Sequence, residues 1–215
     1  MIGFTTGISI ILNLSLVLIF LCQTYTSFYF LAEKDREIRK LEEEYFEEKL
    51  ISRELDIKLR IRNIIDSYRT GLTPNEREHL ADVIYSQGIK YGYDPLFLAA
   101  IIKTESSFYN GAISTAGARG LMQILLPTGR EVARETNVEW EGKKTLHTPH
   151  LNITLGTHYL SKLVRRFDDL GLALEAYNRG PARVTRILNK GRSLSHRYSE
   201  KVFNNYRQLK NNGKA

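Results

Sequence analysis

A single carboxylate, Glu105, closes the most apolar stretch of the charged part of the chain, Asp94-Pro95-Leu96-Phe97-Leu98-Ala99-Ala100-Ile101-Ile102-Lys103-Thr104-Glu105. Asp94 followed by Pro95 reads as an N-cap and first helical position, and the run behind them is apolar on every side, the pattern of a helix buried within a domain. Glu105 then falls at the C-terminal end, where the helix's partial negative charge and apolar neighbours both disfavour the ionised form. A carboxyl group that keeps its proton near neutral pH is what a general acid needs. The competing account of the same position is a surface glutamate on a last turn.

Further along stand Glu105-Ser106-Ser107-Phe108, then Ser114-Thr115-Ala116-Gly117-Ala118-Arg119-Gly120-Leu121-Met122-Gln123-Ile124, and much later Ala176-Tyr177-Asn178-Arg179-Gly180-Pro181. Between and after them come Asn152-Ile153, Gly156, Tyr159-Leu160 and Tyr198-Ser199-Glu200-Lys201-Val202, ending in Tyr206. This ordered set resembles the catalytic domain of the lytic transglycosylases, of the soluble type related to goose-type lysozyme, from about Leu72 to Leu209. The resemblance implies a lysozyme-like domain acting on peptidoglycan glycan strands, with Glu105 at the position of a glutamate that makes both proton transfers. Neither metal nor organic cofactor is implied.

Most glycosidases use two carboxylates, although substrate-assisted enzymes dispense with the second. This chain shows no second acid in a matching motif: Asp94 is accounted for as a cap, and Glu131 and Glu175 lie on helices where exposure is the default. For the other motif residues, substrate contact and a structural role both stand open. Ser106 either binds the backbone and fixes its helix end or faces water. Gln123 either donates to a glycan or locks its loop, and Met122 reads as core. The resemblance places Tyr177 near the acid, assigns Asn178 to orienting an N-acetyl group, and associates Tyr198 with the same cleft. Spacing alone reads Tyr198 as packing the final helix.

Two departures from the family pattern stand out. Arg179 replaces the small residue usual between Asn178 and Gly180, so it either grips an anionic stem peptide or points outward. Pro127 falls one position later than usual, which leaves the geometry of the preceding loop open. His147 and His150, in a proline-containing loop, read as solvent-facing and not as metal ligands.

Charge divides the 215 residues. Residues 1–32 hold no Asp, Glu, Lys or Arg, and 33–71 hold 10 basic and 11 acidic residues. The remaining 21 basic and 13 acidic residues put the whole positive excess into 72–215. Helix-turn-helix, zinc-finger and RNA-recognition signatures are lacking and the arginines are scattered, so a nucleic-acid partner is not expected. A carboxylate-bearing wall polymer suits a basic groove, as does plain surface solubility.

Residues 1–32 read as a membrane segment: Ile8 to Cys22 is almost wholly apolar, and Tyr25, Phe28, Tyr29, Phe30 and Leu31 extend it with interface-type aromatics. A cleaved signal peptide would want a basic start, which Met1 to Gly7 lacks. Leu21 before Cys22 disfavours a lipoprotein signal. Lys34, Arg36, Arg39 and Lys40 follow the segment, and by the positive-inside tendency they hold the rest in the cytoplasm, whereas the motifs call for the periplasmic side. The motifs decide the expectation: a single-pass protein of the bacterial inner membrane with its catalytic domain outside. The layout is an anchor over 1–32, a charged helical stalk or a helix folded back on the domain over 33–71, and a catalytic domain over 72–215. A stalk would also offer a docking surface for envelope or secretion-apparatus proteins.

Thr73-Pro74-Asn75-Glu76 is a capping box with proline at the first helical position. Helices are expected over 74–91, 95–106, 119–136, 149–167, 170–178, 181–190 and 195–211, with no strand-like alternation. The fold class is therefore all-α.

Overall fold

The computed structural model describes residues 2–211, with side chains from Leu14 onward. Nine helices are found among the described residues: α1 (Ile2–Asp66), α2 (Pro74–Tyr91), α3 (Pro95–Ser106), α4 (Leu126–Thr136), α5 (Lys143–His147), α6 (Pro149–Phe167), α7 (Leu170–Arg179), α8 (Pro181–Asn189) and α9 (Arg197–Asn211). No strand occurs among these residues; the only extended pairing is the isolated bridges of Arg119 to Ile113 and to Ile124.

The chain divides into two units, the first ending at Arg53 and the second beginning at Glu54. In the first, α1 carries Leu16, Leu18, Phe20, Tyr25, Phe28 and Phe30 fully displayed, with none of its apolar window buried. That window is long and apolar enough to cross a membrane by length and composition. The side chains of the expected segment before Leu14, including Ile8, lie outside the described residues.

In the second unit, the last turns of α1 join the core: Ile61 and Ile65 are fully buried, with Ile57 and Ile64 against them. Arg77 secures this turn by donating from Nε to Asp66 (2.6 Å) and from a terminal nitrogen to the Leu72 carbonyl (2.8 Å). The compact unit therefore includes residues 54–71, which on charge pattern alone belong to the stalk stretch.

Local chemistry sets the helix ends. Thr73 and Glu76 form the reciprocal capping box, and Gly92 closes α2 at φ 71°. The Asp94 carboxylate accepts from the Leu96 N–H at 2.9 Å, starting α3 where Pro95 has no N–H to satisfy. Every residue from Pro95 to Ile102 is buried, so α3 is the central helix, packed against α2 and α9. Each fully buried Leu or Ile there contributes about 1.5–3 kcal/mol. Glu105, near its C-terminal end, thus sits on the most firmly held element of the unit.

One helix boundary differs from expectation by more than two residues. The chain from Arg119 to Leu125 is a looped hairpin, not the first turns of a helix, and α4 begins only at Leu126. Gly120 at φ 78° and Gln123 at φ 50° take left-handed backbone that a helix cannot accommodate. The short α5 had no periodic signal to reveal it, being a single turn.

Candidate active site

Glu105 stands where α3 ends abruptly. Ser107 and Phe108 both adopt left-handed backbone, at φ 51° and 60°, and the fully buried Phe108 ring pins that turn against Tyr68. Ser106 donates its hydroxyl to the carbonyls of Ile102 (3.1 Å) and Leu121 (2.8 Å), tying the end of α3 to the Ala112–Leu125 loop.

That loop is held from below by Asn152, fully buried on α6. Its Oδ1 accepts from Met122 N–H at 2.7 Å, and its Nδ2 donates to the carbonyls of Arg119 (3.0 Å) and Leu146 (2.8 Å). Gly120 lies directly on this amide and on the Leu146 carbonyl, so no side chain fits there. Met122 is fully buried against Gly156, as expected of a core residue. His147 is half-buried beside this network and not simply solvent-facing: its ring meets Arg119 (3.3 Å) and the Asn110 carbonyl (3.4 Å).

Above the loop opens a cleft of about 570 Å³, whose walls include Glu105, Gln123, Tyr159, Tyr177, Asn178 and Arg179. Tyr177 donates to the Met122 carbonyl at 2.8 Å and packs its ring 5.4 Å from that of Tyr159. Gln123 donates its amide N–H groups to the carbonyls of Ala112 (3.1 Å) and Gly120 (2.9 Å), which leaves its amide oxygen without a partner among the described residues. Asn178 is exposed at the cleft wall, its amide making no hydrogen bond among the described residues. Two residues sit differently from simple substrate contacts: Ser106 is committed to backbone carbonyls, and Tyr198 is buried with its hydroxyl donating to Glu105 Oε1.

Burial pushes the Glu105 carboxyl up to about 7, because apolar surroundings penalise its charged form. The Tyr198 hydrogen bond and the positive charge of Lys201 act the other way, and the balance still favours the proton. Burial and the neighbouring Glu105 raise both Tyr177 and Tyr198 well above the usual phenol range. Both phenols therefore stay protonated and act as donors. Glu105 is the single acid on the cleft wall among the described residues, since no other Asp or Glu lines it. Among the described residues, no group of three or more His, Cys, Asp or Glu is placed to hold a metal ion.

The remaining acid on α7 overturns the default reading. Glu175 is fully buried, and Arg179, half-buried at the cleft wall, is tied to it: its Nε donates to Glu175 Oε2 at 2.8 Å and a terminal nitrogen to the Ser195 carbonyl at 3.0 Å. The i,i+4 Glu-to-Arg spacing was the sequence signal for this pair. The Asn152 network and Lys201 had no comparable signal, because both depend on segments distant in the chain.

The site is thus one sheltered acid in an all-α unit, opening on a cleft of mixed polar and apolar lining. The model of the family described as "Transglycosylase SLT domain" matches residues 82–199, more than half of the chain, and the chain belongs to that family. "Membrane-bound lytic murein transglycosylase C" of Histophilus somni (strain 2336) is 35% identical over 130 residues, covering 53% of this chain and 36% of that protein. The protein of the same description from Photorhabdus laumondii subsp. laumondii is 30% identical over 172 residues, covering 74% and 48%. A solved structure of an inactive mutant of the lytic transglycosylase Slt from Pseudomonas aeruginosa is 29% identical with a TM-score of 0.49, covering 60% of this chain and 22% of that one. The chain spans between about a third and a half of the length of these curated relatives.

Proposed function

We propose that this chain is a membrane-anchored peptidoglycan lytic transglycosylase, with residues 1–32 as the anchor and the catalytic unit on the periplasmic side of the inner membrane. The observation that carries the reading is the half-buried Glu105 carboxyl, pushed up to about 7 by burial and opening on the cleft.

In this reading Glu105 donates its proton to the oxygen of the β-1,4 bond between N-acetylmuramic acid and N-acetylglucosamine. The muramoyl N-acetyl carbonyl stabilises the positive charge that develops at C1 as that bond breaks. Glu105, now a carboxylate, takes the proton of the muramoyl C6 hydroxyl, whose oxygen closes on C1 to give a 1,6-anhydro ring. No water is consumed. Tyr198 supports the carboxylate form by donating to it, which suits a group that must act first as acid and then as base. General acid–base help of this kind is worth about 10²–10⁴-fold, so positioning of the strand supplies much of the remainder.

Asn178 and the amide oxygen of Gln123 are among the cleft groups with hydrogen-bonding capacity to offer an N-acetylated sugar. Tyr177 shapes the wall with Tyr159, and Ser106 keeps Glu105 in register with the loop.

The test is digestion of purified sacculi by the full chain in detergent micelles, read by mass spectrometry of the soluble products. Muropeptides ending in 1,6-anhydromuramic acid are expected. Reducing ends would show hydrolysis instead, and co-sedimentation with sacculi without soluble product would show a binding module.

A further inference from the structure

We propose that Glu175 is a positioning residue for the acid: from inside α7 it holds the first turn of α9, and thereby aims the Tyr198 hydroxyl at Glu105. This rests on the reading of Glu105 as the acid and adds a residue that never reaches the cleft wall.

The first N–H groups of a helix have no partner within it and are commonly met by the side chain just before the helix. α9 begins at Arg197, preceded by His196, whose backbone carbonyl receives the Ser199 hydroxyl (2.9 Å) and the Glu200 N–H (2.9 Å). The N–H groups of Tyr198 and Ser199 go instead to Glu175 Oε1, both at 3.0 Å, with the Ser199 hydroxyl also donating to it at 3.2 Å. Oε2 of the same carboxylate takes Arg179 Nε at 2.8 Å. A residue 23 positions upstream thus does the work of an N-cap.

The charge balance explains why a carboxylate survives at 0% exposure. Its negative charge faces the positive end of α9 and a guanidinium, and both oxygens are filled with donors. Arg179 extends the lock by holding the Ser195 carbonyl, so the connection into α9 is fastened at two points. The residue fastened most directly is Tyr198, whose N–H is on Glu175 and whose hydroxyl is on Glu105. A shift of α9 by a fraction of a hydrogen-bond length is enough to break the second contact.

The groups that bear on Glu105 are Tyr198 and Lys201 on α9 and Tyr177 on α7. Releasing Tyr198 removes the donor that favours the carboxylate form, so the Glu105 titration moves up. Merely deleting a nearby negative charge moves it down. The direction of the shift therefore separates positioning from a field effect.

The experiment follows the Glu105 carboxyl directly, by carbon-13 NMR titration of the full chain in detergent micelles with labelled glutamate. Its signal is identified by its loss in Glu105→Gln. Glu175→Ala is expected to raise the midpoint by roughly half a pH unit, to lower kcat with KM little changed, and to have no further effect in a Tyr198→Phe background. If Glu175→Ala loses its helical circular dichroism, Glu175→Gln, which keeps the shape and one acceptor oxygen, must give a smaller shift of the same sign. An unchanged or lowered midpoint, or an equal rise in the Tyr198→Phe background, overturns the proposal. Because the titration needs no substrate, it stands apart from the outcome on sacculi: coupling without cleavage would sink the transglycosylase reading alone, and cleavage without coupling would sink this one.

Discussion

The hydroxyl of Tyr198 donates to Oε1 of Glu105, joining residues 93 positions apart at the back of the cleft. One phenol that cannot readily ionise thus faces one carboxyl that burial pushes up to about 7, and the bond is the chief force opposing that rise. The pair sets how easily Glu105 gives up and regains its proton.

Tyr198→Phe keeps the ring and deletes that donor. The protonated form of Glu105 is the competent acid, so activity on sacculi should fall as pH rises through about 7. In Tyr198→Phe the falling limb should move to higher pH while the maximal rate drops, since the carboxylate formed in the first step loses its support. A pH–rate profile of both proteins checks this.

Glu105→Gln should abolish cleavage and also stabilise the fold at alkaline pH. The folded carboxyl titrates near 7 against 4.5 for the ordinary group, so the native state binds the proton more tightly than the unfolded chain. Stability contributed by this residue is full below about 4.5, declines as pH rises, and is lost by an amount on the order of 3 kcal/mol above 7. Melting temperatures should therefore be higher for Glu105→Gln than for the parent at pH 8 and converge near pH 4.

Gly120→Ala should disrupt the loop under the cleft. A methyl group there meets the Leu146 carbonyl and the Asn152 amide, and the backbone sits at φ 78°. The combined strain and lost hydrogen bonds should cost about 2–4 kcal/mol. Chemical denaturation measures the loss, and activity should fall with it because Gln123 and the Met122 carbonyl ride on the same loop.

The fragment 54–215 should fold as the intact unit does, whereas 72–215 should melt at a markedly lower temperature or not fold. The shorter piece lacks Ile61 and Ile65, each fully buried and contributing about 1.5–3 kcal/mol, together with the Asp66 partner of Arg77. Circular dichroism melts of the two fragments decide it.

Much of this was legible in the chain because it depends on neighbours in sequence. The capping box at Thr73 and Glu76, the Asp94–Pro95 start of α3 and the unbroken apolar run to Ile102 are local signals, and they suffice for the all-α class, while leaving Glu105 open between a sheltered acid and a surface residue of the last turn. The motif order from Glu105 to Tyr198 carries the family. Periodicity misplaced the start of α4 because Gly120 and Gln123 turn the backbone left-handed in a loop held by Asn152, some 30 residues away.

What only the tertiary structure decided is which polar groups face one another. Glu175, Arg179 and His147 looked like surface residues because burial of a polar side chain is tolerated only when partners arrive to satisfy it; the i,i+4 spacing marks the Glu175–Arg179 pair, but no local pattern announces the distant backbone groups of Tyr198, Ser195 and Asn110 that complete the set. Ser106 is drawn to a carbonyl 15 residues on, and Tyr198 to an acid on another helix. Residue types and their order determined the candidate chemistry; the proton affinity of Glu105 is settled by how the helices pack around it, since desolvation and hydrogen bonding act through space and not along the chain.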